Sequence, residues 1–132
     1  MLNVVLSLNP LAELNLISMF DFEKLTVYSK AKEFNKKVNS LLTEKRFDRT
    51  TNDQLRRASF SIMLNIAEGS GRYSKADKRH FYVISRGSAF ECVAIFDYLR
   101  DIEAISDETF IEFYTDLDEL SRMLFSMVKS LS

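Results

Sequence analysis

One histidine, His80, and one cysteine, Cys92, are the chain's only residues of their types, and neither is spaced for chemistry. A lone histidine cannot build a His-based metal cluster within one chain. His80 stands beside Arg79 in a basic stretch and reads as a surface or interface residue. Cys92 has apolar neighbours and no histidine after it to activate it, so it reads as a packed core thiol. Carboxylates are plentiful, but the Glu-x-x-His pairs of di-iron bundles are absent. Glu68 and Glu91 are a pair of helix-borne acids and weak as ion ligands. The G-S-G-R of residues 69–72 follows no strand and lacks the Lys-Ser/Thr of a phosphate loop. Gly69 and Gly71 are read instead as a helix terminator supplying left-handed backbone. The expectation is a protein that is not an enzyme and takes no metal or cofactor.

What remains is cationic. Lys45, Arg46, Arg49, Arg56, Arg57, Arg72, Lys75, Lys78, Arg79 and Arg86 belong to the middle of the chain. Gathered on one surface, they would neutralise phosphates without reading bases, and Tyr73 and Tyr82 could stack on unpaired bases. Arg56, Arg57, Arg72, Lys75, Lys78 and Arg79 are the expected phosphate contacts. The isoelectric point near 5.9 lies below that of a dedicated nucleic-acid domain. The distribution is more telling than the total. Residues 24–86 hold fifteen Lys/Arg against six Asp/Glu, whereas residues 87–132 hold three against ten. Two readings stay open: a dipolar molecule with one basic and one acidic surface, or two halves that pair between copies in an oligomer.

These residues must be carried by helices. The 132 residues suit one domain, and one proline with three glycines favours long helices over strands and turns. A first helix over about 22–44 repeats Leu25, Tyr28, Ala31, Val38, Leu41 and Leu42, with Lys30, Lys32, Lys36 and Lys37 on its wetter side. A Thr51–Gln54 capping box starts a second helix near Asn52, running to about Glu68. Its apolar residues cover nearly the whole circumference, which implies burial on several sides, some of it between subunits. Ser74 with Asp77 opens a third helix over about 75–101, with Phe81, Ile84, Ser85, Ser88, Cys92, Ile95, Leu99 and Ile102 in period. Gly87 in its middle predicts a helix crossing close beside it. Ser106 opens a fourth, with Phe110, Phe113, Leu117, Leu120, Leu124, Met127 and Leu131 facing inward and Glu112, Asp116, Asp118 and Glu119 outward. The fold class is all-α, an antiparallel up-down four-helix bundle; the alternative is a dimer of longer helices sharing one bundle.

Asn65, Ser88 and Glu91 fall on or beside the apolar stripes, with Arg57 and Arg86 as partners for a buried carboxylate. They are expected to fix the register of the second and third helices, or to join subunits. Residues 1–18 lack a basic n-region, are interrupted by Pro10 and Glu13, and are too short to span a membrane. They read as an extension outside the bundle, either a short helix packed on it or a loose segment preceding a start at Met19.

Three stretches resemble the four-helix-bundle family of 23S rRNA intervening-sequence proteins: F-E-K-L-T-V-Y-S-K-A (22–31), L-R-R-A-S-F-S-I-M-L-N-I-A-E-G-S-G-R (55–72) and R-G-S-A-F-E (86–91). N-I-A-E-G is the most specific piece, and the third matches the family's Gly-Ser-x-x-Glu. The resemblance covers residues 20–132 and implies a cytoplasmic bacterial protein that forms ring-like homo-oligomers, pentamers, with the second and third helices near subunit contacts. It places Asn65, Glu68, Gly69, Gly87, Ser88 and Glu91 in that structural motif. A related branch comprises accessory proteins of diversity-generating retroelements, which bind nucleic acid and a reverse transcriptase. The functional expectation is a non-catalytic oligomer that binds RNA or DNA, with an adaptor for a partner such as a reverse transcriptase as the alternative.

Overall fold

The computed structural model describes Pro10 and residues 20–132. The reading of residues 1–19 as an extension, and of Met19 as a start, lies outside the described residues. After a 3₁₀ turn at Asp21–Lys24 come four helices: α1 (Thr26–Glu44), α2 (Arg49–Ser70), α3 (Lys75–Asp101) and α4 (Asp107–Ser130). Each packs on its sequence neighbour, and α4 closes on α1, while the diagonal helices make no close backbone approach. This is the up-down bundle expected, and it closes within one chain. One end carries the α2–α3 turn and the C-terminus of α4, where Arg79 donates to the Leu131 carbonyl at 2.7 Å. The other carries the α1–α2 and α3–α4 links. No helix among the described residues is long and apolar enough to cross a membrane.

Local chemistry sets the boundaries. Ser74 and Ser106 cap α3 and α4 by accepting from Asp77 N–H at 3.0 Å and Thr109 N–H at 3.1 Å. The start of α2 differs from the Thr51–Gln54 reading. Asp48 is the cap and accepts from Thr51 N–H at 2.8 Å, so the helix begins three residues before Asn52. Those hydrogen bonds, backbone first and then the Thr51 hydroxyl, hold the Asp48 carboxyl below its usual range. The α3–α4 link is a Schellman turn. Glu103 takes φ 59°, and Ala104 N–H reaches back to the Leu99 carbonyl at 2.9 Å.

The core is a column of Val27, Phe34, Val38, Leu55, Ile62, Ile66, Phe96, Leu117 and Leu124, each at most 2% exposed. Burying each such side chain contributes about 1.5–3 kcal/mol. Phe96 stacks on Phe113 at 4.6 Å, and Phe34 meets Phe113 edge-on at 6.0 Å. The α4 stripe is the expected one. On α3 the inward face is turned from the expected stripe: Tyr82, Ala89 and Phe96 are inside, while Ile84 and Ile102 lie outside. The helix carries two apolar stripes that share Ser85, Ser88, Cys92 and Leu99, and only the neighbours decide between their flanks.

Candidate nucleic-acid interface

The six expected phosphate contacts do not form one patch. Arg72, Lys75, Lys78 and Arg79 gather at the α2–α3 end. Arg56 and Arg57 sit 13 or more residues before the end of α2, roughly 20 Å down the helix at 1.5 Å per residue. Three of the four cations at the end are positioned by the fold. Lys78 donates to the last carbonyl of α2, Ser70 O, at 2.9 Å. Arg79 holds the tail of α4. Arg72 pairs with Glu68 at 2.8 Å and lies over the Phe81 ring at 4.5 Å. Lys75 is exposed in the first turn of α3 and makes no ion pair among the described residues. Between Arg72 and Lys75, Tyr73 is fully exposed at 103%. Tyr82, the other candidate for base stacking, is a core residue at 5%, and burial pushes its phenol pKa up. His80 is exposed, edge-on to Phe81 at 5.4 Å.

The charge asymmetry of the sequence becomes only in part an asymmetry between bundle ends, because Lys45, Arg46 and Arg49 stand at the α1–α2 link, at the opposite end. From Gly69 to Arg86 there are five bases and one acid, and the second half of α4 adds Arg122 and Lys129. The acids of α4 cluster in its first half, toward the opposite end. Part of that acidity is neutralised within the chain. Lys37 of α1 reaches Asp116 at 2.6 Å and Glu112 at 2.9 Å, and Lys30 reaches Glu119 at 3.2 Å. Burial pulls the Lys37 ammonium pKa down, but the hydrogen bonds and charges of Asp116 and Glu112 outweigh it and hold it above its ordinary value.

The polar residues of the motif divide. Ser88 donates to Ser61 Oγ at 2.7 Å, and Asn65 donates to Ser61 O and Oγ at 2.8 and 3.0 Å. Buried Ser85 donates to the Ile62 carbonyl at 2.7 Å. A serine seam therefore joins α2 to α3, and Asn35 ties α1 to α2 by donating to Ser59 O at 2.8 Å. The seam was expected to include a buried Glu91 paired with arginine. Glu91 is exposed and accepts from Gln54 at 3.0 Å, so no ion pair is sequestered. Ser85 was on the expected stripe, but Ser61 and Asn35 escaped sequence reading, because a small polar residue signals burial only when the facing group is known.

The glycines exchange roles. No glycine among the described residues has positive φ, and Gly71 caps α2 in right-handed backbone at φ −86°. Gly69 is the close-packing point: a Cβ there would fall 2.8 Å from Tyr82 Cε1 and 2.9 Å from Phe81 Cβ. Around Gly87 nothing lies within 4 Å of such a Cβ, so the expected crossing helix is not there.

No three His, Cys, Asp or Glu side chains come together in a metal-holding group among the described residues. Cys92 is 0% exposed, and burial, with a smaller push from Glu91, raises its thiol to about 12. The α2–α3 end is a cationic, aromatic-tipped surface on a closed helical bundle. Residues 23–126 match the model of the 23S rRNA-intervening sequence protein family, and the chain belongs to that family. The bundle is similar to the crystal structure of a protein of unknown function from the S23 ribosomal protein family of Bacteroides thetaiotaomicron VPI-5482. The TM-score is 0.75 at 26% identity, covering 79% of this chain and 99% of that one. No curated protein matches the chain.

Proposed function

We propose that the chain is a non-catalytic binding protein for RNA or DNA, and that the strand lies across the α2–α3 end of the bundle. The observation that carries this is Tyr73, fully exposed between Arg72 and Lys75. An aromatic ring left entirely in water on a cationic turn has an unpaired base as its fitting partner, since every base offers a stacking face. Lys75 and Arg72 supply phosphate contacts beside it, while Lys78 and Arg79 add positive potential from fixed positions. No side chain here is placed to read base edges, so binding is weakly sequence-selective.

Fluorescence anisotropy with labelled single-stranded RNA, single-stranded DNA and duplex, each at 50 and 200 mM salt, tests it. Neutralising about three phosphates gives a log–log slope near −2 for single strands, so that salt step weakens binding roughly 20-fold. Tyr73→Ala should weaken single-strand binding by about 1–3 kcal/mol without changing the slope. Lys75→Ala should lower the slope by roughly 0.7. Absence of binding at 50 mM salt, or a Tyr73→Ala variant that binds like the wild type, refutes the proposal.

A further inference from the structure

Arg56, remote from the cationic end, lines a groove of about 440 Å³ between α1 and α2. On the α1 side stand Tyr28, Lys32, Lys36 and Asn39, whose three- and four-residue spacing puts them in one row. On the α2 side Arg56, Phe60 and Met63 form the facing row. Two hydrogen bonds set the register of these antiparallel rows. Arg56 donates to Asn39 Oδ1 at 3.4 Å, and Asn35 donates to the Ser59 carbonyl at 2.8 Å. Three of the lining side chains are basic and none is acidic. The grooves on the α4 side of α1 are lined instead by Glu33, Glu112, Asp116 and Glu119.

The three cations are not held by acids of the fold. Arg56 and Lys32 make no ion pair among the described residues: Arg56 meets the Asn39 amide, and Lys32 lies over the Tyr28 ring at 5.7 Å. Lys36 pairs with Glu33 at 3.0 Å, but both side chains are well exposed, so water screens the pair and an anion can displace it. Lys36 precedes Asn39 by one turn, so Lys36 and Arg56 flank the same amide. Phe60 follows Arg56 by one turn of α2 and is 48% exposed, with partly buried Met63 beside it. Side chains four residues apart on a helix stand about 6 Å from each other. That reach is comparable to the one from a 5′-phosphate across its ribose to the base. Asn35 spends both amide hydrogens on the Ala31 and Ser59 carbonyls, at 2.9 and 2.8 Å, which leaves its Oδ1 to accept from a sugar hydroxyl or a base amino group. An alkyl chain laid here would cover the amides of Asn35 and Asn39 without giving them partners, which is unfavourable.

We propose that the α1–α2 groove binds a nucleoside monophosphate unit, its phosphate between Lys36 and Arg56 and its base stacked on Phe60. Lys32 adds positive potential along the same rim. Phosphate recognition by Arg56 and Lys36 is charge-assisted, and the exposed ring takes any base because every base offers a stacking face. Two sources share this chemistry: a free nucleotide, and one residue of a single strand. Arg56 lies roughly 20 Å down α2 from the turn that carries Tyr73, so the groove is a separate surface and stands whether or not a strand crosses the α2–α3 end.

The test is equilibrium dialysis of the full chain against labelled AMP, with adenosine, inorganic phosphate and hexyl phosphate as competitors. AMP binding should saturate, weaken with salt, and be roughly tenfold or more tighter than that of each competitor, since none of them makes both the phosphate and the stacking contact. Arg56→Ala should weaken AMP roughly tenfold by removing a charge-assisted hydrogen bond. Phe60→Ala should weaken it roughly 5- to 100-fold, and Phe60→Tyr should restore it. Both positions are exposed, so circular dichroism should be unchanged; Lys36→Ala is the second variant should either lose helicity. Tyr73→Ala should leave AMP binding as it is, which separates this site from the one at the α2–α3 end. Photoactivated 8-azido-AMP should label the peptide that carries Phe60. Anisotropy with single-stranded RNA in a Tyr73→Ala background then separates the sources. A further loss with Phe60→Ala identifies a strand, and its absence identifies the free nucleotide. The proposal is overturned if AMP does not saturate, if folded Phe60→Ala binds AMP like the wild type, or if inorganic phosphate or hexyl phosphate competes as well as AMP itself.

Discussion

Substituting the two glycines of the G-S-G turn should move stability in opposite directions. At Gly69 a methyl group would sit 2.8 Å from the Tyr82 ring and 2.9 Å from Phe81 Cβ. Ordinary carbon contacts begin near 3.5 Å. The Tyr82 ring is buried and cannot swing away, and Phe81 Cβ is fixed to the α3 backbone, so α2 and α3 must part by roughly 0.5–1 Å for normal contact. Overpacking of that kind costs about 1–3 kcal/mol, and the better helix propensity of alanine returns up to ~1 kcal/mol. Gly69→Ala should therefore destabilise by about 0–2 kcal/mol. At Gly71 the nearest atom to a Cβ is the Glu68 carbonyl oxygen at 3.6 Å, and φ is −86°, which alanine adopts freely. Gly71→Ala should stabilise by about 0.4–1 kcal/mol through the unfolded chain's lost freedom. Urea melts of both variants at one fixed protein concentration measure the gap, expected at about 0.4–3 kcal/mol. A Gly69→Ala protein as stable as Gly71→Ala would show that α2 and α3 are not in backbone-close contact there.

Other positions give separate readouts. Glu103 holds a left-handed φ of 59° on an exposed turn, so Glu103→Gly should raise stability by about 1 kcal/mol in the same melts; no gain would argue against the Schellman geometry. Cys92 should resist Ellman's reagent at pH 8 until denaturant is added, and rapid labelling of the folded chain would contradict its burial. Its folded pKa, about 12, lies above the ordinary 9.0. The contribution is therefore complete below pH 9 and is lost at roughly 1.4 kcal/mol per pH unit as the unfolded thiol ionises above it. Ser85→Ala leaves the Ile62 carbonyl without its side-chain donor and should lower stability by about 1 kcal/mol; no change would mean that the seam contributes nothing. Lys37→Met removes the double link from α1 to α4, but the lysine is a third exposed, so the loss should be only about 0.5–1 kcal/mol and should shrink in high salt.

The four helices were legible because each carries its own local signal. Ser74 and Ser106 mark helix starts by residue type alone, and the α4 stripe from Phe110 to Leu124 has a single interpretation, since polar residues fill its other side. The α3 face was not legible, because Ile84 and Ile102 are as apolar as Phe96 and the winning stripe depends on where Phe113 and Ile62 stand. The same holds for the cationic site. Sequence proximity joined Arg57 to Arg72, yet a helix separates them by several turns, whereas Lys37 and Asp116, 79 residues apart, form the shortest ion pair described. The glycines show the limit most plainly. Gly69 looked like a turn because serine and a second glycine follow it, and Gly87 looked like a packing point because it lies inside a helix. What a missing side chain is for depends on the atoms that would meet it. At Gly69 those atoms belong to α3 of the same chain. At Gly87 no other helix supplies them, so an interior glycine in a continuous 27-residue helix marks a close approach only when a neighbouring element actually crosses it.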